Sequence, residues 1–215
     1  MTIFFNEFAY FGKKRNEGFN GKKVLIFSFH DEDKNSRNPL NDSSFNRFAN
    51  HLKKLFNLKL ITDFTDRITY VNLWNVCNKN RTVKHDDIEN FIKDDKIDPD
   101  IIIVCGVDLR EAIFKPNNFI KDDHLVKINI DEVKNENEKY LYKKEINGKV
   151  YLILNIYSLA YNFGEKNTLD NNKLDVFMKI CFNENIYDEI IKDNSNKETI
   201  IIKIKDNSTI NKATL

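Results

Sequence analysis

The sequence predicts an α/β fold with three layers, in which helices cover both faces of a mainly parallel sheet. Three segments, 23–29, 100–105 and 150–155, are almost continuously apolar, as expected of strands that are buried on both faces. Helical patterns lie between them, and the alternation of strand and helix is typical of this architecture. With 215 residues, 41% of them hydrophobic, the chain is long enough for one domain, which we place at residues 1–205 and follow with a polar, flexible tail at 206–215.

The strands are predicted from short β-branched or apolar runs between polar turns. In chain order, these runs are 23–29, 58–61, 68–73, 100–105, 125–130, 150–155 and 199–204. The sequence of residues 146–149, Ile-Asn-Gly-Lys, is a hairpin signal. We therefore expect residues 140–146 to pair with the strand that begins at Val150.

The helices are predicted from apolar side chains at spacings of three and four and from capping residues. The candidates are a helix from Ser43 or Ser44 through Leu55, one from Asp86 or Asp87 to Ile92, one from Asp108 to just before Pro116, and a long helix or a pair of helices over 169–191.

Composition and motifs exclude several classes of protein. The net charge is +1, and no run of about 18 apolar residues is present, so we expect no membrane partner. The three cysteines lack paired spacing, and the first residues do not read as a signal peptide, which favours a cytoplasmic location. GxGxxG, P-loop, HExxH, GxSxG and CxxC motifs are all absent, which removes dinucleotide-binding folds and P-loop NTPases as leading ideas.

Ligands of open α/β sheets bind beyond the carboxyl ends of the strands. His30 and Asp31 directly follow the first predicted strand, where they could activate a water or hold a divalent cation. Asn72 and Asn155 end two further strands. A buried amide must be hydrogen-bonded, either to backbone or to a ligand such as a nucleobase edge.

Five segments in order resemble the uracil-DNA glycosylase superfamily, over about residues 22–165. They are Val24-Leu-Ile-Phe-Ser-Phe-His-Asp31, Asn38-Pro-Leu-Asn-Asp-Ser-Ser-Phe-Asn-Arg-Phe-Ala-Asn-His-Leu52, Tyr70-Val-Asn-Leu-Trp-Asn-Val-Cys77, Ile97-Asp-Pro-Asp-Ile-Ile-Ile-Val-Cys-Gly106 and Leu154-Asn-Ile-Tyr-Ser-Leu159. The family's Gly-Gln or Gly-Glu reads Ser28-Phe29 here, and its His-Pro-Ser loop reads Asn155-Ile156-Tyr157.

The resemblance implies a three-layer α/β/α sandwich whose central, mainly parallel sheet has four strands in the order 2-1-3-4. It implies hydrolysis of the N-glycosidic bond of a deaminated base that is flipped out of DNA, with no metal and no organic cofactor. The implied catalytic residues are Asp31, His30 and Asn155. The implied base-binding residues are Phe29, Leu40, Phe45 and Asn72, and the implied DNA-binding residues are Tyr157, Ser158 and Tyr161.

Two other interpretations stay open from the sequence. One is a non-catalytic relative that binds a nucleobase or DNA, which the missing Gly-Gln and His-Pro-Ser features favour. The other is a flavodoxin-like nucleotide hydrolase that binds Mg²⁺ through Asp31 and Asp33. For the glycosylase and for its non-catalytic relative, the expected partner is single- or double-stranded DNA. We expect a monomer.

Overall fold

The chain has an α/β fold, in agreement with the class predicted from the sequence. The computed structural model describes residues 3–29, 38–73, 85–94, 96–106, 124–128, 141–146, 148–156, 159, 171–182, 187–192 and 199–204. The strands within these ranges are β1 (Ala9–Phe11), β2 (Val24–Ser28), β3 (Ile68–Asn72), β4 (Ile101–Cys105), β5 (His124–Ile128), β6 (Leu141–Ile146), β7 (Lys149–Ile156), β8 (Tyr187–Lys192) and β9 (Thr199–Ile204). The helices there are α1 (Ile3–Asn6), a 3₁₀ turn (Pro39–Asn41), α2 (Ser43–Leu55), α3 (Thr62–Thr65), α4 (His85–Ile92) and α5 (Asn171–Phe182).

The described strands form one sheet in the order β1-β3-β2-β4-β7-β6-β5-β9-β8. The run β3-β2-β4-β7 is parallel throughout, and β1 is antiparallel to β3 at one edge. Numbered by their order in the chain, the four parallel strands have the order 2-1-3-4. Beyond β7 the next strand, β6, is antiparallel and closes the predicted hairpin, with Ile146 in register with Lys149.

Three of the four parallel strands are buried along their whole length, whereas β7 is continuously buried only from Ile153 to Ile156. Every residue of β2, β3 and β4 is buried; the continuous apolar runs predict this for β2 and β4, whereas Val150 in the third such run is 55% exposed. The ring of Phe45 in α2 lies 4.8 Å from that of Tyr70 in β3, between centroids. The ring of Phe91 in α4 lies 6.3 Å from that of Phe27 in β2. Phe27 is in register with Val71, the neighbour of Tyr70, so α2 and α4 contact opposite faces.

The N-cap of helix α2 lies one residue before Ser43, the earlier of the two residues predicted to cap it. Asp42, not Ser43 or Ser44, is the N-cap, and its carboxylate accepts hydrogen bonds from the backbone N–H groups of Ser44 and Phe45 at 2.7 and 2.9 Å. Aspartate is a strong N-cap because its carboxylate also faces the positive end of the helix dipole.

The predicted strand at 58–61 is wrong, because these residues follow the C-terminal cap of α2. Asn57 adopts a left-handed φ of 51°. The N–H of Leu58 donates to the carbonyl of Lys53 and that of Asn57 to the carbonyl of Lys54, which is the Schellman pattern. The chain then turns into α3, with Leu60 left 61% exposed.

The predicted helical stretch over 169–191 is only partly helical. The helix α5 ends at Phe182, and residues 187–192 form β8, which pairs antiparallel with β9. Ile190 and Ile191 favour an extended strand because their branched side chains suit a pleated surface. The prediction from the sequence continued the helical pattern past Phe182, where the helix ends, into the strand β8.

Phe19 joins α5 to the rest of the core. Its fully buried ring makes edge contacts with those of Phe56, Phe64 and Phe182, at centroid distances of 5.1 to 5.2 Å. Helices α2 and α5 also contact each other directly. The Nε2 atom of His51 in α2 lies 2.5 Å from Oδ1 of Asp175 in α5. The helix α5 therefore packs beside α2.

Charged groups meet at the edge of the sheet where the parallel strands begin. The Asp98 carboxylate contacts the ammonium groups of Lys23, at 3.3 Å, and of Lys149. The hydrogen bond from Lys149 and the further contact with Lys23 hold the pKa of Asp98 below its ordinary value. These two ion pairs connect Asp98, in the segment before β4, to Lys23, just before β2, and to Lys149, the first residue of β7.

Some predicted elements lie outside the described residues: the helix from Asp108 and the tail at 206–215. In the ranges that the structure does describe, no helix is long and apolar enough to cross a membrane.

Candidate functional site

The last residues of three parallel strands form a row at the carboxyl edge of the sheet. Ser28, which ends β2, is in register with Asn72 at the end of β3 and with Cys105 at the end of β4. Residues in register share a face of a parallel sheet, and neighbouring strands lie about 4.8 Å apart. The structure therefore places Asn72 next to the strand end that leads into Phe29 and the predicted catalytic residues.

Asn155 lies at the same edge but on the other face of the sheet. It is in register with Val104, which in turn is in register with Phe27, so its side chain belongs to the face that α4 covers. Three strand spacings separate β7 from β3, or about 14 Å. The structure does not bring the two asparagine side chains together, although both are buried, with 3% (Asn72) and 6% (Asn155) of their surface exposed.

A chain of buried polar side chains lies beneath the strand ends, on the face that α2 covers. The hydroxyls of Ser28 and Tyr70 are 2.6 Å apart, and the Tyr70 hydroxyl donates to Asp42 Oδ2 over a longer 3.4 Å. All three residues are at most 4% exposed. We call this set, Ser28, Tyr70 and Asp42, the clasp.

The direction of the hydrogen bonds in the clasp follows from the chemistry of its groups. An ionised carboxylate only accepts, so the single hydroxyl hydrogen of Tyr70 points to Asp42. Either hydroxyl can donate in the 2.6 Å contact; when Tyr70 donates to Asp42, the hydrogen between the two hydroxyls comes from Ser28. Asp42 thus acts twice, since one oxygen caps α2 and the other holds Tyr70.

The thiol of Cys105 is a further buried group at the strand ends, because Cys105 ends β4 in register with Ser28. Burial raises its pKa well above the ordinary value, and the negative charge of Asp42 raises it further. A thiol in such surroundings stays protonated and is a poor nucleophile. Cys105 is 1% exposed and is a small side chain of the core.

The three apolar residues expected to contact a base differ in accessibility. Phe29 follows β2 directly and is 44% exposed, which is unusual for a phenylalanine at a strand end. Leu40 is half-buried in the 3₁₀ turn before α2. Phe45 is fully buried, and its ring packs against those of Tyr70 and Phe48, so the core already covers its faces.

Five predicted site residues lie outside the described residues: His30, Asp31, Tyr157, Ser158 and Tyr161. Asp33, the second carboxylate of the metal-binding alternative, also lies outside. Within the part of the chain that is described, no group of three or more His, Cys, Asp and Glu side chains is placed to hold a metal ion.

The sequence analysis missed Ser28, Tyr70 and Asp42 as members of the site. The sequence carried a signal for two of them, Ser28 and Asp42. Ser28 interrupts an apolar strand, and a buried hydroxyl needs a partner. Asp42 stands before Ser43 at the start of a helical pattern, where an aspartate is as good a cap as a serine.

The fold and this row of polar strand ends define an α/β protein with a candidate ligand site at the carboxyl edge of its parallel sheet. Comparison with known proteins finds no family model and no curated protein that matches the chain.

Proposed function

We propose that the chain is a divergent uracil-DNA glycosylase-like protein that hydrolyses the N-glycosidic bond of a deaminated base flipped out of DNA. The observation that carries the proposal is the adjacency of Asn72 to the end of β2, on one face and in one row. An amide such as that of Asn72 can both donate and accept, as pairing with a pyrimidine edge requires. The strand order 2-1-3-4 supports the same assignment.

The chemistry follows from the residues after β2. Asp31, or His30, positions the hydrolytic water and stabilises the positive charge that develops on the sugar. The exposed ring of Phe29 and the side chain of Leu40 offer apolar surface for the base. No metal and no organic cofactor takes part in this proposal.

Two further parts of the proposal concern the segment at the end of β7. The resemblance assigns support of the departing pyrimidine to Asn155, and the proposal assigns DNA contact to Tyr157, Ser158 and Tyr161. Asn155 and Asn72 lie on opposite faces of the sheet, on strands about 14 Å apart. One base therefore cannot contact both side chains. The proposal therefore assigns base reading to Asn72, and the role of Asn155 has its own test.

Release of uracil from single- and double-stranded oligonucleotides tests the proposal. We expect release by the full chain and its loss when His30→Ala and Asp31→Ala are combined. Asn72→Ala should slow release by roughly 100-fold, the effect of losing one preorganised hydrogen-bonding group. Asn50→Ala is the matched control, because Asn50 is an exposed residue of α2 away from the strand ends and its loss should leave release unchanged.

The outcomes separate the proposal from its first alternative. No release of any deaminated base by folded protein would contradict the enzymatic proposal. DNA binding that weakens steeply with salt, without product, would instead support a non-catalytic relative. A slow Asn155→Ala variant would support the leaving-group role, and a wild-type rate would remove Asn155 from the mechanism.

The flavodoxin-like hydrolase is the second candidate, because the first four strands of that fold share the order 2-1-3-4. One observation separates the two folds. In flavodoxin-like folds a fifth parallel strand follows, whereas here β7 is followed by the antiparallel β6. Magnesium-dependent nucleotide hydrolysis that is lost with Asp31→Ala and Asp33→Ala would favour this candidate.

A further inference from the structure

The stretch that contains α2 carries positive charge and no negative charge. No aspartate or glutamate occurs from Ser43 to Thr62, although 33 acidic residues among 215 would place about three in a stretch of this length. The same stretch contains four cationic residues, which are Arg47, Lys53, Lys54 and Lys59. Because the net charge of the whole chain is only +1, this excess is a local feature of one surface.

The helix directs these charges toward solvent. Its buried side chains are Phe45, Phe48, Ala49 and Leu52. Arg47 and Lys54 are both exposed, and a separation of seven residues, or two turns, places them on one stripe opposite the buried side. Lys59, beyond the end of α2, is also exposed, and Lys53 is half-buried. We call this set, Arg47, Lys53, Lys54 and Lys59, the basic ridge.

The polar side chains beside the ridge are engaged within the protein. Asn50 lies between Arg47 and Lys54, but its amide nitrogen donates to the carbonyl oxygen and to the side-chain oxygen of Asn46, at 2.9 and 2.7 Å. On the flank of α2 that faces α5, Nε2 of His51 lies 2.5 Å from the carboxylate of Asp175. Asn50 therefore adds no charge to the ridge, and Asp175 is engaged by the flank of the helix.

The ridge begins beside the candidate site and leads away from it. The first turn of α2 lies at the strand ends, where Asp42 caps the helix and accepts from Tyr70. With 13 residues the helix is about 20 Å long. Arg47 and Lys54 lie about 10 Å apart along its axis, which is the rise of about three nucleotides in a stacked DNA strand.

We propose that the basic ridge binds the phosphate backbone of single-stranded DNA that extends from the row of strand ends along α2. Arginine and lysine bind phosphates as cations, and no carboxylate of α2 opposes them there. A flexible single strand can turn from the edge of the sheet onto the side of the helix. A duplex is stiff over about 150 base pairs and resists such a turn. The role of the ridge in turnover rests on the proposed function, whereas its binding of DNA does not.

The first test is fluorescence anisotropy of the full chain with a labelled oligothymidine, over a series of salt concentrations. The double variant Arg47→Gln/Lys54→Gln removes two phosphate contacts. We therefore expect the slope of log affinity against log salt to become shallower by about 1.4, and the affinity to fall roughly 25-fold at about 0.1 M salt.

The matched control is the double variant Lys93→Gln/Lys96→Gln. It removes the same charge from the residues that follow α4, the helix on the opposite face of the sheet, and it should keep the affinity and the slope of the wild type. No binding by the wild type, equal slopes for the wild type and the ridge variant, or an equal loss in the control would overturn the proposal. A labelled duplex bound as tightly as the single strand, through the same two residues, would overturn the single-stranded assignment.

Uracil release separates this inference from the proposed function. If the wild type binds DNA through the ridge but releases no uracil, the proposed function fails and the ridge stands. If uracil is released and the ridge variant binds like the wild type, the ridge fails and the proposed function stands. Where both hold, the ridge variant should raise KM for single-stranded substrate by roughly 25-fold and leave kcat within about twofold, because distant phosphate contacts stabilise the ground state and the transition state alike.

Discussion

Replacement of Asp42 perturbs two interactions that the structure assigns to its two carboxylate oxygens. Oδ1 accepts from the N–H groups of Ser44 and Phe45, and Oδ2 accepts from the hydroxyl of Tyr70. Asp42→Ala removes both interactions and leaves these donors buried beside a methyl group. Asp42→Ser keeps the first and removes the second.

The expected magnitudes follow from these contacts. Loss of the cap costs about 1 kcal/mol. Loss of the bond from Tyr70 costs about 0.5 to 1 kcal/mol, at the low end of the range for a buried hydrogen bond because of its 3.4 Å length. We therefore expect Asp42→Ala to lower the free energy of unfolding by about 1.5 to 2 kcal/mol, and Asp42→Ser by about 0.5 to 1 kcal/mol.

Urea unfolding measures this difference. With a slope of about 2.5 kcal/mol/M, a 1 kcal/mol gap between the variants separates their midpoints by roughly 0.4 M. The helix signal should fall with the rest of the structure in both variants. Equal midpoints for Asp42→Ala and Asp42→Ser would refute the assignment of a capping role to Oδ1.

Three further predictions concern other parts of the molecule. Phe19→Ala should lower the free energy of unfolding by about 3 to 5 kcal/mol, measured by urea unfolding, because its buried ring joins three others; a loss below 1 kcal/mol would contradict its place in the core. Asp98→Asn should cost at most about 1 kcal/mol. Because folding lowers the pKa of Asp98, that difference is fully present above its ordinary value of 3.8 and disappears as the pH falls through the lowered pKa; a difference that grows on acidification would contradict it. In a Cys77→Ser variant, Cys105 and Cys181 should stay unreactive toward a disulfide reagent at pH 8 until the protein unfolds, because burial raises the pKa of both thiols.

The sequence predicted the parallel strands best, because their signal is local. The continuous apolar runs at 23–29, 100–105 and 150–155 predict strands that are covered on both faces. Every residue of β2 and β4 is buried, whereas Val150 at the start of the third run is 55% exposed. The hairpin at 146–149 was equally visible, since an Asn-Gly pair carries its own turn geometry.

Elements whose structure depends on distant partners were harder to predict. Residues 58–61 resemble a strand, but the cap at the end of α2 uses the backbone of Leu58. Residues 187–192 continue a helical pattern, but pairing with β9 decides their conformation. In both cases a contact outside the local pattern overrides it.

The candidate site could be predicted only in part. The strand ends were identified because α/β sheets bind ligands there. The faces of Asn72 and Asn155 could not be predicted, because a shift of one residue in register moves a side chain to the opposite face. The contacts of Tyr70 with Ser28 and Asp42 depend on the same register.

The most direct test of the account is an NMR titration that follows side-chain amide signals as free uracil is added to the full chain. The Asn72→Asp variant assigns the signal of Asn72, and the Asn155→Asp variant that of Asn155. We predict that the Asn72 signal shifts and saturates while the Asn155 signal moves far less. A protein that leaves the Asn72 signal unmoved at saturating uracil, or that shifts only Asn155, would contradict a base site beside the end of β2.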